Sequence, residues 1–457
     1  MKSFTLLLLL TALSAATCVS AQTTTFQVGT TTVTVTPLVD NLQIPWELVW
    51  GPDNYLWMTE RNGRISRVDP VSGQVLPLLT VPDVAPTGES GLLGMVLHPD
   101  FGTSPYVYIV YNYLLNGALK EKLARYTYAG GALTAPLVLL DNITAASTHS
   151  GSRLLILPDR TLLMTTGDAQ AASLAQSTSS LNGKILRLNL DGSVPADNPT
   201  PGSLLYTLGH RNPQGLVRAP NGKIYASEHG PSNDDEVNLI EAGHNYGWPN
   251  VEGFCNLPAE QAFCTANNVR EPLFAWTPTL AVAGLAYYNS PAIPEWQGSL
   301  LLATLKASRL VQLKLNATGD AITTTQSYLT TFGRLRAVCI SPQGRIFIGT
   351  SNQNNDKIVV LENKAFQPTS TATALPGPAL LLWPNPARQI VRLRLPVAPT
   401  AAGAVEVLDV LGRLAVTRPV AVGQTDLSLD VAGLRAGWYV VRARVGARTY
   451  TQRLLIN

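Results

Sequence analysis

The chain has 457 residues, a formal net charge of +3 and only 14% charged residues, while 46% are hydrophobic. That length allows a large core and more than one domain. The weak charge excludes the electrostatic footprint of a nucleic-acid binder, and beyond the N-terminal segment no stretch is apolar for long enough to act as a transmembrane segment.

The first residues, MKSFTLLLLLTALSAATCVSAQ, carry one lysine, an apolar run and small residues ending in Val19-Ser20-Ala21. This pattern predicts a signal peptide over 1–21, with an apolar run too short to span a bilayer. AATC before Cys18 is a poor lipoprotein cleavage site, so simple export is expected. Export leaves Cys255, Cys264 and Cys339. The first two bracket one loop and could form a local disulfide in an oxidising compartment. Cys339, in the apolar RAVCISP, is expected as a buried free thiol, and the set contains no cysteine-based zinc motif.

From residue 51 one unit recurs: a Pro/Asp/Gly turn, a strand of aromatic and β-branched residues, then often a second strand carrying Arg or Lys. Its copies are GPDNYLWMTERNGRISRVDP from Gly51, HPDFGTSPYVYIVYN from His98, and LPDRTLLMTTGD from Leu157, with GKILRLNLDG following. APNGKIYASEHG from Ala219, EWQGSLLLATLKASRLVQLKL from Glu295 and SPQGRIFIGTSNQNNDKIVVL from Ser341 complete the series. Six copies with irregular spacing predict an all-β fold, a six-bladed β-propeller over 22–364 with one unit per blade. A tandem of β-sandwiches accommodates six like units poorly.

Four of the five histidines, His149, His210, His229 and His244, fall between residues 149 and 244, in THSGSRL, GHRNPQGL, SEHGPSNDDEVNLI and GHNYGWPNVEG, with TTGDA between the first two. Each motif alone is better explained by a structural histidine or a turn. Loops from successive blades converge at one end of a propeller, however. There they could combine a neutral histidine as general base, an arginine for developing negative charge and oxygens for a hard cation. The connection EHGPSNDDE is also more polar than a hairpin requires. The carbonyls of Gly230 and Pro231 suit calcium, and the acids of NDDE could bind a second, structural calcium or simply lock the loop.

YTLGHRNPQGL, HGPSNDDEVNLI and NYGWPNVEG, in that order after GKILRLNLDGSVPADNP, resemble the soluble PQQ-dependent glucose/aldose sugar dehydrogenases. PWELVWGPDNYLWMTERNGRISRVDP and GLLGMVLHPDF before them, and LLLATLKASRLVQLKL and GRLRAVCISPQGRIFIGT after them, match the same family, so the resemblance runs from about residue 35 to 361. It implies an aldose sugar substrate, PQQ and calcium as cofactors, and an electron acceptor that it does not specify. His149 would take the anomeric hydroxyl proton while the C1 hydride moves to the quinone, and Asp168 would orient that histidine. Arg211 would stabilise negative charge beside the quinone, with Asn212 and Gln214 holding the cofactor. Gly230 and Pro231 would give carbonyl oxygens to calcium. Lys306, Arg334 and Arg336 would neutralise the cofactor's carboxylates. Glu236 and Tyr246 match positions near a further calcium, and Trp276 matches the substrate wall. Glu89 stands where the family often has an amide close to the cofactor, and Thr148 stands where the glucose-oxidising member has an acid. Both departures, with the short segments after Ala169 and after Phe254, widen the expected substrate from glucose to aldoses.

NKAFQPTSTATALPGPA is Pro/Thr/Ala-rich, which predicts a linker over 365–376. Beyond it, alternating segments predict a small β-sandwich over 377–457. Its WPNPA, VEVLDVLGR, DLSLDVAGLRAGWYVVRA and terminal QRLLIN resemble the sorting domain read by the type IX secretion machinery, and a binding or spacer sandwich is the alternative. For the propeller the alternatives are a calcium-dependent lactonase and a non-catalytic calcium-binding module. The cationic set Lys306, Arg334 and Arg336 discriminates, because a neutral lactone has no use for it.

Overall fold

The computed structural model describes residues 23–367, 380–395, 397–409, 412–446 and 448–456. The expected signal peptide lies outside them, as do 368–376 of the expected linker. Two compact units divide between Thr369 and Ser370.

The first unit is a six-bladed β-propeller. Blades 1 to 6 begin with the innermost strands Pro45–Trp50, Leu92–Leu97, Gly151–Ile156, Pro213–Arg218, Val282–Tyr288 and Leu335–Ile340. Each of these packs against the next, and the sixth packs against the first. Blades 1 to 5 are four-stranded antiparallel sheets formed from consecutive chain. Blade 6 is completed from the other end: Thr31–Leu42 pairs with Asp356–Glu362, in the register Thr34 to Glu362 and Thr36 to Val360.

Strand alternation explains the ring. Successive side chains point to opposite faces of a strand, and here both faces are apolar. In Tyr106–Leu115, Val107 and Ile109 join a core shared with blade 1, whereas Tyr108 and Val110 join one shared with blade 3. In Ser299–Thr304, Leu300 and Leu302 face blade 4, and Leu301 and Ala303 face blade 6. Each pair of adjacent blades encloses its own hydrophobic cluster. Cys339 is a free, buried thiol in the cluster between blades 6 and 1. At the closure Phe26 stacks on Tyr328 at 5.3 Å, and Glu295 Oε2 accepts from Thr31 Oγ1 at 2.9 Å.

Among the described residues a single α-helix, Pro258–Asn267, which strand periodicity did not foretell, sits in an insertion of blade 4 and is tied by a disulfide between Cys255 and Cys264. Pro258 opens it and Glu260 accepts from the backbone N–H of Leu257 at 2.9 Å. None of its residues is buried.

The second unit is a β-sandwich. One sheet contains Leu381–Trp383, Ile390–Arg394 and Asp426–Asp430; the other contains Gly403–Leu408, Leu414–Val420, Gly437–Val445 and Arg448–Ile456. Val391, Leu393, Leu427 and Leu429 of the first sheet meet Val405, Val407, Val441 and Leu454 of the second in one core.

Val33 of the closing strand is fully buried in the cluster between blades 5 and 6. Val33→Asn removes apolar contact and buries an unpaired amide, so unfolding free energy should fall by about 2–4 kcal/mol in urea titrations. An unchanged midpoint would mean that closure contributes little.

Candidate functional site

Antiparallel pairing selects one end of the ring. Gly151 pairs with Thr166, Pro213 with Glu228, Val282 with Thr304 and Leu335 with Thr350. The start of each innermost strand therefore lies beside the end of the second strand. Glu89, His149, Arg211, Asn212 and Arg334 precede or open innermost strands; Asp168, Gly230, Pro231 and Lys306 follow second strands. Residues from five blades thus share one rim.

His149 Nδ1 lies 2.8 Å from Asp168 Oδ1. Asp168 is buried, and its carboxylate also accepts from the Gln170 N–H at 2.8 Å and from Trp248 Nε1 at 2.9 Å. A carboxylate at Nδ1 fixes the tautomer: Nδ1 carries the proton and Nε2 keeps its lone pair. His149 has φ +61°, a conformation a non-glycine residue holds only where its surroundings impose it. Gly167 is part of that constraint, since a Cβ there would sit 1.8 Å from the His149 carbonyl oxygen.

Arg211 follows in blade 4. Its backbone N–H donates to Glu228 Oε1, as does that of Asn212 at 3.3 Å. Glu228 Oε2 lies 2.8 Å from His210 Nδ1, and His210 stacks on Tyr246 at 4.6 Å. These contacts make His210 a buried structural residue. The Arg211 guanidinium donates to the His229 carbonyl at 3.3 Å and lies 5.4 Å from the Trp248 ring centre. Burial pulls it below its ordinary value, against the opposing attraction of Asp168, Glu228, Asp235 and Glu89.

Asn212 Oδ1 accepts from the Gly151 N–H and from Gln214 Nε2, both at 3.0 Å, and Gln214 Oε1 accepts from Arg336 at 2.9 Å. Gln214 acts as a strut: its amide is spent on protein partners. Arg336 is buried near Trp46, and burial lowers it to about 10. His229 is half-buried with its Nε2 sealed from solvent; desolvation, with Arg336 and Arg211 nearby, pushes it down to about 3, so it stays neutral. Three buried nitrogens, Arg211 Nε, His229 Nε2 and Arg336 Nε, have no hydrogen-bond partner among the described residues.

The polar connection of blade 4 forms a recess with Arg211, Gly230, Pro231, Glu236, Tyr246 and Trp248 in its wall. The Gly230 N–H donates to Asp235 Oδ1 at 3.0 Å, and no hydrogen bond among the described residues reaches the carbonyls of Gly230 and Pro231. Glu236 is pushed up to about 8 by burial and by the neighbouring Glu228. The Tyr246 hydroxyl is committed to Leu239 and Glu241, so only the rest of that residue is free to meet a metal. Among the described residues no three His, Cys, Asp or Glu side chains converge on one metal position.

Lys306 is exposed and donates to Thr279 at 3.2 Å; the Thr279 N–H in turn holds the Ser232 carbonyl beside Pro231. Arg334 is exposed close to Arg336. Glu89 is exposed, within electrostatic reach of Arg61, Arg211 and Arg336. Trp276 lies further out, half-buried against Phe274 at 4.7 Å. Trp248 and Arg61 were not singled out from the sequence. The GWPN motif marked Trp248, but its partner Asp168 is on another blade.

A family model described as glucose/sorbosone dehydrogenase matches residues 42–360, and one described as a secretion system C-terminal sorting domain matches 381–457. Quinoprotein glucose dehydrogenase B of Acinetobacter calcoaceticus is 34% identical over 402 residues, covering 68% of this chain and 83% of that protein. Aldose sugar dehydrogenase YliI of Escherichia coli is 32% identical over 354 residues, covering 72% of this chain and 93% of the relative. The PQQ-bound aldose sugar dehydrogenase from Streptomyces coelicolor superimposes with a TM-score of 0.63 at 33% identity, covering 72% of this chain and 98% of that structure.

Gly167→Ala should cost about 1–3 kcal/mol, the usual penalty for overpacking, and displace His149 in a crystal structure. A variant with unchanged stability and an unmoved His149 would show that the loop is not held by this contact.

Proposed function

This chain belongs to the glucose/sorbosone dehydrogenase family, and from that premise we propose that it is a secreted quinoprotein oxidising the C1 hydroxyl of aldose sugars to lactones, with PQQ and calcium as cofactors. The secretion sorting domain marks it for export. The proposed layout is a signal peptide over 1–21, a propeller over 22–364, a linker over 365–376 and a sorting domain over 377–457.

The observation that carries the reading is the His149–Asp168 pair on the same rim as unpartnered guanidinium nitrogens. PQQ is anionic through its carboxylates. Arg211, Arg334, Arg336 and Lys306 offer it four cations, and arginine binds carboxylates in a forked geometry. Asn212 sits among them, and Gln214 serves by holding Arg336 in place. The free carbonyls of Gly230 and Pro231 fit calcium, which takes oxygen ligands. A cation beside Glu236 would offset its repulsion from Glu228.

When bound, PQQ supplies the two-electron acceptor for the C1 hydride and calcium supplies Lewis acidity. His149 receives the C1 hydroxyl proton at Nε2, since its Nδ1–H is committed to Asp168. Asp168 stabilises the resulting imidazolium, and Trp248 and Gln170 keep the carboxylate in position. The sugar loses one hydride from carbon and one proton from oxygen as the C=O bond forms. Arg211 stabilises negative charge developing in the site. A lactone hydrolase could use the histidine and the acids but would leave the convergent cations idle.

Cofactor-free protein should reduce an artificial dye with an aldose only after PQQ and calcium are both added; activity undiminished by chelation and dialysis would sink the reading. His149→Ala should lower turnover by about 10²–10⁴-fold while PQQ binding persists, and a near-normal rate would place the base elsewhere. With Arg61, Arg211 and Arg336 around it, Glu89 is compensated, so Glu89→Gln should change PQQ affinity by less than tenfold, roughly 1.4 kcal/mol. Tighter binding than that, read by absorbance titration, would show that the carboxylate repels the cofactor.

A further inference from the structure

Left-handed backbone recurs in the stretch that bears His149. His149, Gly151 and Ser152 have φ of +61°, +65° and +72°, and the pairing with the second strand of blade 3 slips between Gly151 and Leu154. For a non-glycine residue such a conformation is sterically unfavourable and persists only where neighbours over-determine it. Asn212 holds the Gly151 N–H from blade 4. Blade 2 holds the other side. Ser150 Oγ donates to Asn112 Oδ1 at 3.4 Å, and Ser152 Oγ lies 2.9 Å from Glu121 Oε2.

Glu121 is buried, and its Oε1 has no partner among the described residues. A buried charge without a counter-ion is strongly unfavourable. The hydrogen bonds of Ser152 fit the same result. Ser152 Oγ is also 3.1 Å from the Ser150 carbonyl oxygen. A hydroxyl has one proton to give, so two full hydrogen bonds, rather than one shared three-centre bond, form only if one partner brings its own. A carbonyl cannot; a carboxylic acid can. The Glu121 O–H then donates to Ser152 Oγ, and Ser152 donates to the Ser150 carbonyl, tightening the turn just after His149.

We propose that Glu121 is a positioning residue for His149, acting as a neutral carboxylic acid that pins the left-handed turn through Ser152. Burial pushes the Glu121 carboxyl up to about 8, which agrees. The proposal rests on His149 being the base, but its geometric part does not.

The test uses the full chain and three variants. Glu121→Gln keeps shape, neutrality and a donor; Glu121→Met keeps bulk without the hydrogen bond; Ser152→Ala removes the other partner. With PQQ, calcium and glucose, Glu121→Gln should stay within about threefold of wild-type kcat. Glu121→Met should lose tenfold or more in kcat with KM and PQQ affinity nearly unchanged. Ser152→Ala should lose a similar factor, and the double variant should lose no more than either alone. Histidine-selective ¹⁵N NMR reads the His149 tautomer without turnover. The Nδ1–H form should persist in Glu121→Gln and become mixed in Glu121→Met, or in Ser152→Ala if the Met variant does not fold. A wild-type His149 signal in folded Glu121→Met or Ser152→Ala overturns the proposal, and so does a Gln variant as impaired as the Met variant. If His149→Ala proves active, the base assignment falls while the NMR result still decides the positioning.

Discussion

The propeller depends on strands that are apolar on both faces. A sheet with one apolar face is finished when one partner covers it; a blade with two requires a neighbour on each side, and that requirement ends only when the sixth blade meets the first. Tyr108 and Val107, adjacent in sequence yet buried in different clusters, show the rule within a single strand. Closing the ring removes the open faces and brings loop ends from separate blades to a common rim, which is how distant residues come to share one site.

The inner part of that rim holds charge where water is scarce, at Arg336 and Asp168. Arg336 is buried where the effective dielectric is well below that of water, and its charge, with that of Arg211, makes the already desolvated His229 harder to protonate. Desolvation is the larger cause of both the neutrality of His229 and the lowered affinity of Arg336 for its proton. Asp168 shows the opposite design. Three donors from three different places converge on its two oxygens, leaving it little freedom to turn away from His149.

Most of the architecture was legible because turn residues and two-faced strands repeat six times, and because HSGSRL, TTGDA, GHRNPQG and HGPSNDDE each carry polar groups that a plain connection lacks. What stayed hidden was pairing across blades. Gln214 reads as a cofactor ligand, yet its amide holds Arg336 and contacts Gly151. Glu121 lies between Lys120 and Lys122 and reads as one of three exposed charges, but strand alternation turns it alone into the interior. The helix Pro258–Asn267 has no fully buried residue and so little apolar patterning to read; its opening proline and Glu260 are its sequence marks.

Completion of blade 6 by Thr31–Leu42 has a temporal consequence. Thr34 cannot find Glu362 until nearly the whole propeller has been synthesised, and contacts so distant in sequence form slowly. Blades 1 to 5 can each pair locally as they emerge, but the assembly remains an open arc with uncovered terminal faces until the last blade arrives. The pairing that closes the ring therefore becomes possible only when Asp356–Glu362 has been made, shortly before the sorting domain begins at residue 381.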